Sequence, residues 1–226
     1  NAAEPGWQND FRALPGEKEY LMALADTPES EFVDGYLADF KILKEQLNSY
    51  FADVANGKHY LFDSVELHRI QTYLGGKRTD LNGQSIYGQY DLVETLTSNA
   101  MESINWLSDK GIDFDRSVVE IPVGALWRRA HKPKRPKGVE FVDKLQKRIQ
   151  EQGGRIITDT RATDLIVEDG KVVGIKATQA NGTKLVLRVN NGVVLASGGF
   201  GANTKMIKKY NTYWKDIADE IGRAHV

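Results

Sequence analysis

The sequence predicts an α/β protein with a helical first half and a three-stranded antiparallel meander in its second half. Apolar residues recur at spacings of three and four through much of residues 17–110, the period of helices buried along one face. Asp169-Gly170 and Asn181-Gly182 each separate β-branched or aliphatic runs, a strong short-range hairpin signal. Gly192–Gly201 then reads Gly-Val-Val-Leu-Ala-Ser-Gly-Gly-Phe-Gly. Its apolar run is too short for a helix and is followed by glycines that free the backbone where a strand would leave a sheet.

Taken in order, residues 1–16 hold Pro5, Gly6, Pro15 and Gly16 with little periodicity and read as loop. From Glu17 to Asn56 the pattern is helical, interrupted at Thr27-Pro28, and Phe32, Tyr36, Phe40, Leu43, Leu47 and Tyr50 form a core-facing stripe. A second helix is expected over Asp63–Leu74, capped by Asp63 with Glu66 three residues on and stopped by Gly75-Gly76. Residues 77–85 are polar and carry the Asn82-Gly83 turn. A third helix is expected over Tyr90–Lys110, with Leu92, Leu96, Ile104 and Leu107 inward, and an extended segment over Ile112–Val123. Gly138 opens a fourth helix with Val139, Val142, Leu145 and Ile149 on its face, closed by Gly153-Gly154. A short strand is expected at Arg155–Thr160. The meander strands follow at Ala162–Glu168, Lys171–Thr178 and Leu185–Val189, then a strand at Val193–Leu195 buried on both faces, the glycines and a last helix.

Composition narrows the chemistry. A net charge of −1 gives no global attraction to nucleic acid or to a membrane surface. The absence of cysteine excludes disulfides, thiolate metal sites and cysteine catalysis within the chain and leaves the compartment open, with the cytoplasm favoured. No apolar run reaches the ~20 residues of a membrane span. His59 and His68 have no acidic or histidine partner at helical spacing, which argues against metal binding. In Trp127–Lys137, seven of eleven residues are Arg, Lys or His and two are proline. This is a loop, either solvated or facing an anion, and His131 lies within it. Ile221-Gly222-Arg223-Ala224-His225-Val226 spells the translation of a short-read sequencing adapter, so 221–226 are expected to be a non-native tail on an internal piece of a longer protein.

Several of these segments together resemble one family. Gly138-Val-Glu-Phe-Val-Asp-Lys-Leu, Gly153-Gly154, Thr160-Arg161-Ala162, the Asp169-Gly170 hairpin and Val193-Val-Leu-Ala-Ser-Gly-Gly-Phe-Gly-Ala-Asn resemble the FAD-dependent flavoproteins of the fumarate reductase and succinate dehydrogenase class. The likeness is strongest to soluble fumarate reductases, flavocytochrome c-like enzymes and urocanate reductases. His131-Lys132-Pro133 sits where they carry His-Arg-Pro, and Asn1-Ala2-Ala3 resembles the end of their Gly-Gly-Met-Asn-Ala motif. The resemblance is good over about 90–215 and weak over 3–85.

The resemblance implies that residues 1–220 are part of a Rossmann-like FAD-binding domain. Residues 1–111 form its mainly helical portion, and 112–220 carry the basic loop, a helix, the meander and the cofactor-facing strand. It implies FAD contacts at Asn1 and Ala2, at the backbone of Ala162, and at Ala196, Ser197, Gly198 and Gly199, where serine replaces the family's threonine. No residue of the chain matches the family's catalytic or substrate-binding positions, and no metal site is implied. The implied activity is hydride transfer from reduced flavin to an activated alkene such as fumarate, with an arginine outside this chain as proton donor. The implied partner is a small dicarboxylate or acrylate, the electron donor is left open, and no nucleic acid is expected. The competing reading is a non-catalytic nucleotide-binding or interaction domain of the same fold. A third, anion or RNA binding through 127–137, requires its cations to be available.

Overall fold

The computed structural model describes residues 12–135 and 138–211. Asn1, Ala2, Pro136, Lys137 and the 221–226 tail lie outside the described residues. The chain divides into two compact units, 1–156 and 157–226.

The first unit is helical: α1 (Glu17–Ala25), α2 (Asp34–Ala55), α3 (Val65–Gly76), α4 (Tyr90–Asp109) and α5 (Val139–Glu151), with a 3-10 turn at Glu29–Glu31. The predicted stripe forms the core. Phe32, Tyr36, Phe40, Leu43, Leu47 and Tyr50 are buried and pack with Leu21, Leu67, Ile70, Tyr73 and Trp127. Tyr36 adds direction to this burial, since its hydroxyl donates to the Gly88 carbonyl at 2.8 Å and ties α2 to the start of α4. Between α3 and α4, β1 (Arg78–Thr79) pairs with β2 (Ser85–Ile86) around the predicted Asn82-Gly83 turn. Asp80 stabilises that turn by accepting from the Asn82 and Gln84 amides, both at 2.8 Å.

Some helical expectations are corrected. Ser64, rather than Asp63, caps α3: its hydroxyl accepts the Leu67 amide at 3.0 Å, while the Asp63 carboxylate is drawn to Arg129. The helix runs through Gly75 and Gly76 to a cap at Lys77. On α4 the buried positions are Val93 and Thr97, whereas Leu92 and Leu96 are 66% and 60% exposed. A step of one residue rotates a helix by about 100°, and Thr97 is turned inward because it accepts from the Arg69 Nε at 3.2 Å. On α5, Val139, Val142 and Ile149 are exposed and Leu145 is half-buried, while Glu140 is buried. Phe141 packs on Phe114, with Ile112 beside it, and this contact sets the helix's orientation.

The second unit contains β3 (Thr160–Glu168), β4 (Lys171–Gln179) and β5 (Lys184–Arg188), in the order β3-β4-β5 and antiparallel throughout. The meander is therefore as predicted, with Asp169 and Gly170 both at positive φ in the tight turn. Two register shifts interrupt the β3–β4 ladder, between Ala162 and Asp164 and between Ile166 and Val167. No strand forms at 155–159 or at 193–195, and Val194 and Leu195 are 91% and 77% exposed. A strand exists only through paired neighbours, and none faces these segments among the described residues. The last helix, α6 (Thr204–Tyr210), is capped by Asn203, whose side chain accepts from the Met206 amide.

Candidate cofactor-binding site

Ala162 sits on β3 opposite Ala177, at the first register shift, and is exposed. Beside it is a shallow depression of about 500 Å³ lined by Asp159, Thr160, Arg161, Thr178, Gln179 and Ala180. Asp159 is held at φ 52°, and its carbonyl accepts from the Ala180 amide at 2.8 Å. This bond fixes the corner where the chain enters β3.

Ala196, Ser197, Gly198 and Gly199 lie in no helix or strand and are exposed. A Cβ added at Gly198 or Gly199 would meet nothing within 4 Å, and Gly198 has φ 72°. No amide of 193–199 is bonded to another backbone group among the described residues. This is a small-residue segment with unspent N–H donors and open space over it, as close approach of a dinucleotide requires. Ala162 and 196–199 share the second unit, but no hydrogen bond joins them.

The basic stretch belongs to the helical unit and is tied down there. Its backbone pairs with the extended segment before it: Glu120 and Ala130 exchange amide bonds at 3.0 Å, the Asp115 amide donates to Lys132, and the Lys134 amide donates to Asp113. Trp127 is buried, donating Nε1–H to the Phe62 carbonyl at 2.9 Å, with Tyr20 tilted over its ring at 5.4 Å. Arg128 forks onto Glu17 at 2.6 and 3.0 Å, and Arg129 onto Asp63 at 2.7 and 3.1 Å. Lys132 pairs with Glu120, Lys134 with Asp113, and Arg135 with Asp143. Every one of these acids lies outside the stretch, Glu17 and Asp63 in distant parts of the chain, so the composition of the stretch alone does not show that its charge is already matched.

His131 is half-buried, its ring edge-on to Phe114 at 6.4 Å. Burial lowers its affinity for a proton, against a hydrogen bond to the Arg129 backbone that raises it. His68 is also half-buried and shifted down, by burial first and by the Arg129 charge second. The two imidazoles, far apart in sequence, line one cavity of about 360 Å³ between α3, α4 and residues 129–131. His68 has no partner at helical spacing; it and His131 come to one cavity only through the tertiary fold. Among the described residues no cluster of three or more His, Cys, Asp or Glu could hold a metal, and no helix is long and apolar enough to cross a membrane.

Comparison with known proteins gives the family. The FAD binding domain family matches residues 53–218. The chain is 82% identical over 221 residues, 98% of its length, to the NADH:acrylate oxidoreductase of Vibrio harveyi, of which it spans 22%. It is 29% identical over 151 residues, 66% of the chain, to the NADH:fumarate oxidoreductase of Klebsiella pneumoniae, of which it spans 15%. Among solved structures, the 3-ketosteroid-Δ4-(5α)-dehydrogenase of Rhodococcus jostii matches with a TM-score of 0.50 at 23% identity, covering 66% of this chain and 35% of that one. That last likeness concerns the fold alone.

Proposed function

Because the chain belongs to the FAD binding domain family, we propose that it is part of a flavin-dependent oxidoreductase that reduces the double bond of a small unsaturated carboxylate, acrylate in preference to fumarate, with NADH as electron source. The observation that carries the choice of acrylate is 82% identity to the acrylate oxidoreductase against 29% to the fumarate oxidoreductase. Such a gap separates recent from distant relatives within one fold, where function follows the site rather than the architecture.

FAD, when bound, supplies the hydride chemistry. The chain's own contribution is binding and orientation. The unpaired amides of 196–199 would meet the dinucleotide, and the absence of side chains at Gly198 and Gly199 admits it to the backbone. Ala162, exposed at a ladder irregularity beside the depression, would present its backbone to the adenosine end. Asn1 and Ala2 complete the proposed contacts. No proton donor is assigned to this chain. Its clustered arginines, Arg128 and Arg129, are bound to carboxylates.

The test is anaerobic reoxidation of the NADH-reduced intact enzyme. Acrylate should restore the oxidised-flavin absorbance with a higher kcat/KM than fumarate. Reoxidation by fumarate and not by acrylate would overturn the substrate reading. Absence of flavin from protein purified with excess FAD would overturn the cofactor reading.

A further inference from the structure

The cavity between α3, α4 and residues 129–131 is not used by the reading above. Its volume of about 360 Å³ falls at the small end of the ~300–1,000 Å³ range typical of small-molecule pockets. The walls differ in chemistry. The polar lining is Asp63, Ser64, His68, Thr97, Arg129 and His131; the apolar lining is Val65, Ala100, Met101, Ile104 and Ala130.

With Asp63 taken up by Arg129, and Thr97 by Arg69 and the Val93 carbonyl, the polar lining leaves a set of donors. Arg129 uses Nε and Nη2 on Asp63, and its Nη1 makes no hydrogen bond among the described residues. Ser64 accepts the Leu67 amide through its oxygen, which leaves its O–H proton to donate. His68 contributes an imidazole that can donate from nitrogen. The apolar side carries no donor or charge. Such a cavity suits a ligand with one anionic, planar head of two acceptors and a short apolar body. A guanidinium is the best-matched partner for that head.

We propose that this cavity binds a short-chain monocarboxylate, its carboxylate on Arg129, Ser64 and His68 and its hydrocarbon against Ala100, Met101 and Ile104. A dicarboxylate of similar length would bury its second charge against the apolar wall, at a high desolvation cost. The cavity therefore separates the two classes.

Charge balance gives the site a pH signature. Arg129 and Asp63 already neutralise each other, so a carboxylate adds a net negative charge. The groups facing His68 are Arg129 and Asp63, and those facing His131 are Asp63 and Arg116; the cavity's α4 wall brings no charge. Binding is thus accompanied by proton uptake on an imidazole, and affinity rises as pH falls below the ordinary histidine range. The limiting gain is about tenfold per pH unit for one proton taken up.

The inference does not rest on the reductase reading, and its test uses a saturated acid that cannot be reduced. Equilibrium dialysis of labelled propionate against the intact protein should show, besides propionate held at the flavin site as the product of acrylate reduction, one further site per chain that strengthens from pH 7 to 5.5. Ala100→Leu fills the cavity from α4, and His68→Leu removes a donor at similar volume. Either should abolish that site while leaving flavin content and acrylate turnover unchanged, and succinate should fail to displace the propionate. Propionate stoichiometry equal in wild type and in both folded variants would overturn the proposal, as would affinity independent of pH or equal competition by succinate. Loss of acrylate turnover in the wild type would instead count against the reductase reading, with the dialysis result unaffected.

Discussion

Removing the Asp39 carboxylate should destabilise the helical unit far more than a surface change would. Asp39 on α2 and Arg69 on α3 are 5% and 6% exposed, with the Arg69 Nη1 at 2.6 Å from Asp39 Oδ1. The same guanidinium donates from Nη2 to Ser98 at 2.9 Å and from Nε to Thr97 at 3.2 Å, and packs against the Tyr90 ring. Three helices therefore meet on one buried cation. Asp39→Ala leaves that cation without a counter-charge, and breaking such a pair from one side costs about 3–5 kcal/mol. The hydroxyls of Thr97, Ser98 and Tyr90 remain as acceptors, which places the expectation near the lower figure. With a urea slope of about 2 kcal/mol/M, the midpoint falls by roughly 1.5 M. Trp106 and Trp127 lie in this unit and report its unfolding by fluorescence. The double variant Asp39→Ala/Arg69→Met removes both charges and should be more stable than Asp39→Ala alone. A loss below about 1 kcal/mol for Asp39→Ala would refute the argument, as would a double variant no more stable than the single one.

Other expectations follow from the same contacts. Trp127→Phe keeps an aromatic ring but strands the Phe62 carbonyl, and should cost about 1–2 kcal/mol by urea unfolding; an unchanged midpoint would deny the tie its importance. Gly174→Ala drives a Cβ into the Leu187 carbonyl oxygen across the β4–β5 ladder. It should destabilise the second unit by about 1–3 kcal/mol, read as faster amide exchange in β4 and β5 with α2 unaffected. His68 and His131 both have folded-state proton affinities depressed by burial. Their contribution to stability is present above the ordinary histidine pKa of about 6.5 and is lost as pH falls from there toward the lowered folded values. His68→Gln should flatten the urea midpoint between pH 7.5 and 5.5, and an unchanged slope would show that His68 is not buried as a neutral group. Gly198→Val, at φ 72°, should lower the flavin content of the purified enzyme if that segment carries the proposed contact.

The helical core and the meander were legible because each repeats one period. Six stripe residues from Phe32 to Tyr50 are buried as their spacing required, and Asp169-Gly170 turns where the dipeptide said it would. Errors arose where a tertiary partner decided the outcome. Leu92 and Val93 are both apolar and adjacent, and only the Arg69 contact to Thr97 shows which side of α4 faces in. Asp63 looked like a cap and is instead half of an ion pair with a residue 66 positions away. Val193–Leu195 has the composition of a buried strand, but among the described residues no strand pairs with it. The small residues and glycines of 196–199 leave an open, unpaired backbone, the feature on which the proposed contact rests. The shared cavity of His68 and His131 was not legible, because no local spacing relates them.

The basic stretch shows why this distinction matters for cofactor binding. Its composition suggests a cradle for phosphate, yet Arg128, Arg129, Lys132, Lys134 and Arg135 each face a carboxylate. For Arg128 and Glu17, only 13% and 12% exposed at their side chains, recruitment to a ligand would strand a largely desolvated acid. The stretch acts as a staple: it closes 127–135 onto α1 through Glu17, onto the start of α3 through Asp63, and onto α5 through Asp143. Charge fixed in this way is poorly available to a dinucleotide; Arg129, which lines the cavity beside α3 and α4, keeps only Nη1 out of its ion pair. On the proposed reading, the chain therefore contributes to FAD binding through the backbone at Ala162 and the unpaired amides of 196–199, where side chains are small or absent. Selection for such contacts favours residues that keep out of the way, which is the composition seen at Ala196-Ser197-Gly198-Gly199.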